Sequence, residues 1–253
     1  MTEKLLKLLE NGRKSQTIVG LKTSFEDEGV TINDLIELRI ITSKCDLPLY
    51  VKIGGCEAKT DIMNCKNYLV DGIVCPMIES DFALEKFIRS CKELGYVGKL
   101  FANLETKTSF ENMEMIINSP SSKDIHGYTV GRSDFVASYG LSKKSVNDDS
   151  MLKKVKVMLE KIKKIELPAT MGGNLTSESE KFIREMFELN LLQKIETRNI
   201  IMRLSNENLD KVSELINEAL YIETLILENR KNRTSYNFSK NIQRLKNIHK
   251  RIK

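Results

Sequence analysis

Charged residues recur just after short apolar runs along this 253-residue chain. Lys22 and Glu26 follow the first run. Lys52, Gly54, Gly55 and Glu57 follow the second, and Glu79 the third. Glu105 and Thr106 end the fourth, Arg132 and Asp134 the fifth, Gly172 and Gly173 the sixth, and Glu196 and Arg198 lie within the last. If the runs are strands of an α/β barrel, these are the positions at which barrels place their chemistry. One charged strand end serves solubility; a ring of them implies a polar cavity. Carboxylates there can ligate a hard cation or move protons, a buried lysine can attack a carbonyl, and lysine or arginine can neutralise an anionic substrate. The two glycine pairs allow close backbone approach to a ligand, phosphate included, and are equally ordinary turn signals.

Other chemistries are poorly provided for. There are two histidines, His126 and His249, and no tryptophan, which argues against a His-rich metal centre and a Ser-His-Asp triad. The five cysteines form no C-x-x-C pair and read as free thiols of a reducing cytosol. Net charge is +5, with Lys and Glu interspersed except in the basic stretch 230–253, which reads as a solvated helix face rather than a nucleic-acid patch. No apolar run approaches the ~20 residues needed to span a bilayer, and the first residues have no signal-peptide core. The expectation is a cytoplasmic protein with neither membrane nor nucleic-acid partners.

The elements that would position the charged ring are legible as alternating βα units. Strands are expected at 17–22, 49–53, 72–76, 99–104, 125–130, 167–171 and 194–202. Helices are expected at 1–12, 32–43, 61–68, 81–94, 110–117, 151–165 and 177–189. The eighth strand of a closed barrel is not separately visible, and the extended stretch 17–28 is a candidate for serving two adjacent positions. The reading is a TIM-type (β/α)8 barrel over residues 1–205 with a C-terminal helical extension over 206–253. In that extension Leu209, Val212, Leu215, Ile216, Leu220 and Leu227 mark one helix. A polar break follows at 229–235, and Phe238, Ile242, Leu245, Ile248 and Ile252 mark another. No strand follows these apolar stripes, so they need cover from their own barrel or a neighbouring subunit. The second option is expected, and with it a homo-oligomer.

Three segments carry a family resemblance: Pro76-Met77-Ile78-Glu79-Ser80, Asn103-Leu104-Glu105-Thr106 followed by Asn112, and Gly131-Arg132-Ser133-Asp134 followed by Gly140. In this order and spacing they resemble the metal-dependent pyruvate aldolases and citrate lyase β-subunits, over roughly residues 17–205. Phe25-Glu26-Asp27-Glu28-Gly29, Lys52-Ile53-Gly54-Gly55-Cys56-Glu57-Ala58 and Glu196-Thr197-Arg198 are similar to an aldolase/citrate-lyase-like branch of that family.

The resemblance implies carbon–carbon cleavage or formation through an enolate of pyruvate or a similar 2-oxo acid, with an aldehyde or acyl partner. Glu105 and Asp134 would ligate Mg²⁺ or Mn²⁺; the competing reading pairs Glu105 with Lys52 or Arg132. Lys52 stands where well-studied members carry an arginine, keeping the charge but losing the planar fork. It could replace that arginine or pair with Glu57, and Lys22 could supply the cation or form an imine. Arg132 or Arg198 would neutralise remaining substrate charge. Glu26, Glu28, Glu57 or a metal-activated water are the candidate bases, and Gly54, Gly55, Glu79, Thr106, Gly172 and Gly173 the candidate substrate contacts. Two alternatives stay open: acyl-thioester chemistry on the same fold, and a non-catalytic barrel used for binding.

Overall fold

In the computed structural model, which describes residues 3–231 and 238–252, eight strands hydrogen-bond in sequence order and the last returns to the first. Helix α1 (Glu3–Lys14) precedes β1 (Ile18–Ser24), and α2 (Phe25–Glu28) and α3 (Ile32–Lys44) lead to β2 (Leu49–Lys52). Then come α4 (Lys59–Asn67), β3 (Gly72–Cys75), α5 (Asp81–Glu93) and β4 (Lys99–Leu104). Two short helices, α6 (Lys107–Glu111) and α7 (Met113–Ile117), precede β5 (Tyr128–Gly131); α8 (Arg132–Ser138) and α9 (Asp149–Lys164) precede β6 (Ala169–Gly172). Helix α10 (Glu180–Glu188) leads to β7 (Lys194–Glu196) and β8 (Ile200–Arg203), and α11 (Val212–Lys231) and α12 (Phe238–His249) complete the chain.

Strands β1 to β7 run parallel, and buried apolar side chains fill both faces, as in the fully buried run of β3. The expected α/β barrel is present, and its eighth strand comes from an unexpected place. The stretch read as one strand over 194–202 is a hairpin. Thr197 N–H donates to the Ile200 carbonyl (3.0 Å) and Ile200 N–H to Thr197 Oγ1 (3.3 Å). Three residues cannot make the long crossover that a parallel strand needs, so β8 pairs antiparallel with both β7 and β1. The stretch 17–28 does not serve two strands. Ser24 ends β1 and caps α2 by accepting from Asp27 N–H (3.2 Å), and Gly29 closes that turn at φ 59°. The helix expected over 110–117 is divided at Asn112 into α6 and α7.

Because β8 runs downward, α11 starts at the lower face and climbs the barrel, packing on α1, β8 and α10. Its apolar stripe, from Leu209 through Val212, Leu215, Ile216 and Leu220 to Leu227, is buried there. Helix α12 packs on α11, with Ile248 buried at the cavity. The apolar stripe of α11 finds cover on its own barrel, each burial gaining roughly 1.5–3 kcal/mol, while in α12 Ile242 and Leu245 stay half-buried, as does Ile252 just beyond it. Of the polar break at 229–235, residues 229–231 belong to α11 and 232–235 lie outside the described residues. No described helix is long and apolar enough to cross a membrane.

Candidate active site

A cavity of about 410 Å³ opens at the C-terminal ends of the parallel strands, with side chains from α2 and α12 among its walls. Glu105 follows β4 and is 3% exposed. Its Oε1 accepts Met77 N–H (3.0 Å) and its Oε2 accepts Asn103 Nδ2 (3.0 Å), so both oxygens are held in orientation. Gly131 faces it: a Cβ there would stand 2.4 Å from Glu105 Oε2, so only glycine lets β5 approach this closely. Asp134 enters the same cavity from the first turn of α8. Burial raises the Glu105 pKa and the charge of Asp134 adds to this, while Lys52 opposes both.

Lys52 bonds neither Glu105 nor Glu57. Its Nζ donates to Asp27 Oδ2 at 3.0 Å, and Arg198 reaches the same oxygen at 2.9 Å. Burial works against the Lys52 ammonium, but the charges of Glu105, Asp27 and Asp134 outweigh it and raise its pKa. Asp27 shows the converse. Burial pushes its carboxyl up, and Arg198 and Lys52 overcome that and hold it at about 2. Lys22, at the end of β1, is buried in an ion pair with Glu196 of β7. Glu28 is buried against Arg230 and Asn199, and Glu223 pairs with Arg244 of α12. Every carboxylate lining the cavity thus has a described cationic partner within 4.0 Å except Glu105 and Asp134.

Several expected contacts lie elsewhere. Arg132 is fully buried and turned away from the cavity: it donates to the Gly172 carbonyl (3.3 Å), the Gly173 carbonyl (3.0 Å), Asn147 Oδ1 (3.0 Å) and Ser179 Oγ (3.1 Å). It is a buttress for the β6 glycine loop, not a substrate contact, and it forms no pair with Glu105. Glu57 pairs on the surface with Lys86 (2.8 Å). Glu26 is exposed on α2 and stands outside the cavity, as do Gly54 and Gly55; Gly54 N–H is taken by Asp61 Oδ2 (2.8 Å). The Thr106 hydroxyl caps α6 by accepting Ser109 N–H (3.0 Å), and the Glu79 carbonyl accepts Asn112 Nδ2 (2.8 Å), so both shape the rim from outside. His126 accepts Leu100 N–H at 3.2 Å, a structural role. Gly172 and Gly173 do line the cavity. Gly173 lies at φ +87°, where a Cβ would stand 2.4 Å from Ser133 N.

The structure also brings in residues that the motifs did not single out. Asp27, in the segment 25–29, is the partner of two cations, Lys52 and Arg198. Arg244, Asn247 and Arg251 reach the cavity from the tail, in a basic stretch expected to be a solvated face, together with Ile248 of the expected apolar stripe.

Two carboxylates with hard oxygens, one buried and bonded in place, neither ion-paired, suit a divalent cation that keeps water or ligand oxygens at its other positions. Among the described residues no group of three or more His, Cys, Asp or Glu could hold a metal, so a cation here would have two protein carboxylates.

Solved structures with a similar fold include an HpcH/HpaI aldolase from Desulfitobacterium hafniense DCB-2. It is 9% identical, with a TM-score of 0.59 over 75% of this chain and 89% of that one. This chain has a fold similar to that aldolase barrel. An HpcH/HpaI aldolase/citrate lyase family protein from Burkholderia cenocepacia J2315 gives TM-score 0.58 at 13% identity, covering 78% and 92% of the two chains. A variant of the citrate synthase SbnG gives 0.59 at 13% identity, covering 87% and 89%. The fold likeness thus falls on the same family as the sequence motifs. No protein-family profile and no curated protein sequence matches the chain.

Proposed function

We propose that the chain is an aldolase-type carbon–carbon lyase acting on pyruvate or a similar 2-oxo acid through its enolate, with Glu105 and Asp134 holding Mg²⁺ or Mn²⁺. The observation that carries this reading is that these two alone, among the carboxylates lining the cavity, lack a described cationic partner. A divalent cation there would supply Lewis-acid polarisation of the 2-oxo acid carbonyl.

The chain's own residues supply the rest. Lys52, ion-paired with Asp27, is a donor for a substrate carboxylate or enolate oxygen. Arg198, sharing Asp27 with it, adds a second positive charge on the same wall. The ion pair with Asp27 disfavours an imine at Lys52, since a nucleophilic amine must first lose its proton. Lys22 is committed to Glu196. Of the carboxylates considered as a base, Glu28 is neutralised by Arg230, and Glu26 and Glu57 stand outside the cavity. The second substrate would be an aldehyde or acyl compound.

Calorimetry with Mg²⁺ and Mn²⁺ tests the reading, together with cation-dependent exchange of pyruvate methyl protons into deuterated water followed by NMR. Glu105→Gln and Asp134→Asn should each abolish cation binding and exchange while leaving the fold intact. Unchanged cation affinity in both variants would overturn the assignment. Cation binding without exchange of any 2-oxo acid would favour the non-catalytic barrel.

A further inference from the structure

Ion pairing within the cavity is uneven. Lys22, Lys52, Arg198 and Arg244 each have a carboxylate partner. Arg251, Lys143 and Lys144 line the same cavity, and no described carboxylate lies in ion-pairing range of any of them. Arg251 follows α12 and is half-buried. Its Nη2 donates to the Leu175 carbonyl (2.6 Å), while its Nε is buried without a partner. Burial lowers its pKa, and Arg244 and Arg198 lower it further against the pull of Glu223. The turn carrying Lys143 is tied to the same loop, since Asn174 Nδ2 donates to the Lys143 carbonyl (3.0 Å). The cavity wall thus carries three cations without a described carboxylate partner, the half-buried Arg251 and the exposed Lys143 and Lys144. An anion from outside the chain would supply the counter-charge that this wall lacks.

We propose that Arg251, with Lys143 and Lys144, forms an anion subsite at the mouth, and that the ligand of this cavity carries a second anionic group, a carboxylate or a phosphate. The tail is then part of the recognition surface as well as cover for the barrel. The subsite itself rests on the chain's own cations; only the nature of the ligand's other end rests on the 2-oxo acid reading. A guanidinium suits either oxyanion because its planar fork can donate two parallel hydrogen bonds.

The test has two arms on the full chain, with thermal melts to verify that each variant is folded. In the first, inorganic phosphate and succinate are titrated calorimetrically without divalent cation. At least one should bind, and which one does identifies the anion class. Arg251→Gln should weaken it by about tenfold or more, the loss of one charge-assisted hydrogen bond, and Arg251→Lys by less. Absence of binding by both anions at millimolar concentration, or affinity unchanged in Arg251→Gln, overturns the subsite. In the second arm, with Mg²⁺ present, 2-oxoglutarate is compared with 2-oxopentanoate, which lacks the distal carboxylate. If succinate is the anion bound, the dicarboxylate should be preferred by about tenfold, and Arg251→Gln should erase the preference. Glu105→Gln should weaken both 2-oxo acids while sparing the binding seen in the first arm. If Arg251-dependent anion binding persists while neither 2-oxo acid binds, the subsite stands and the enolate reading falls.

Discussion

Arg230 near the end of α11 donates to Glu28 of α2 at 2.9 Å, across 202 positions of sequence, and both side chains are almost fully buried. Arg230 also reaches Thr23 Oγ1 (3.2 Å), and Asn199 donates to the same carboxylate (3.1 Å). The pair fastens the climbing helix to the cavity wall beneath α12. Removing one partner of a buried ion pair costs about 3–5 kcal/mol when the other charge is stranded, but Arg244 Nη1 stands 3.8 Å from the same Glu28 oxygen and keeps part of the compensation. Arg230→Ala should therefore cost about 1–3 kcal/mol and lower Tm by roughly 2–12 °C in a chain of this size. Calorimetric or circular-dichroism melts would show it; a loss below about 1 kcal/mol would mean that Arg244 or water compensates the Glu28 charge in full.

Gly131 is where the metal reading meets packing. A Cβ at this position would stand 2.4 Å from Glu105 Oε2, so Gly131→Ala must move the carboxylate or β5. Overpacking of this kind costs about 1–3 kcal/mol. The expected outcome is a folded protein with sharply weakened Mg²⁺ affinity, read by calorimetry beside a thermal melt. Full affinity in a folded variant would place the cation elsewhere.

Lys52 separates the enolate mechanism from an imine. Asp27 accepts a hydrogen bond from its Nζ at 3.0 Å, an ion pair that favours the ammonium over the free amine an imine needs. Borohydride added with pyruvate should leave the protein mass unchanged. A pyruvyl adduct mapped to Lys52 or Lys22 would overturn the metal mechanism.

Asp27 predicts an acid limb of stability. Its folded pKa of about 2 lies below the unfolded carboxyl value near 3.9, so its contribution is complete above that value and is lost as pH falls through about 4 towards 2. Urea midpoints measured between pH 5 and 2 should fall more steeply for the wild type than for Asp27→Asn, which has no charge to lose. Parallel curves would show that Lys52 and Arg198 do not hold the carboxylate in solution. Because the Asp27 side chain is partly exposed, solvent screening keeps the effect modest.

Local pattern made much of this protein readable from its residues alone. Short apolar runs placed the first six strands and the period-3.6 apolar pattern the long helices, because both signals depend on spacing within a dozen residues. The position rule for barrels brought Lys22, Lys52, Glu105, Asp134, Glu196 and Arg198 to one end of the sheet, and all of them line the cavity. What tertiary structure decided was direction and partnership. A hairpin of short reach inside 194–202 reversed the last strand, and that reversal sent α11 upward and brought Arg244 and Arg251 to the mouth. Arg132, one residue past β5, turned away to bond the β6 loop, while Asp27, inconspicuous in its motif, became the partner of Lys52. Neither outcome could be read from spacing. A charged side chain finds its partner through space, and folding chooses among carboxylates and carbonyls that lie tens to hundreds of residues away along the chain.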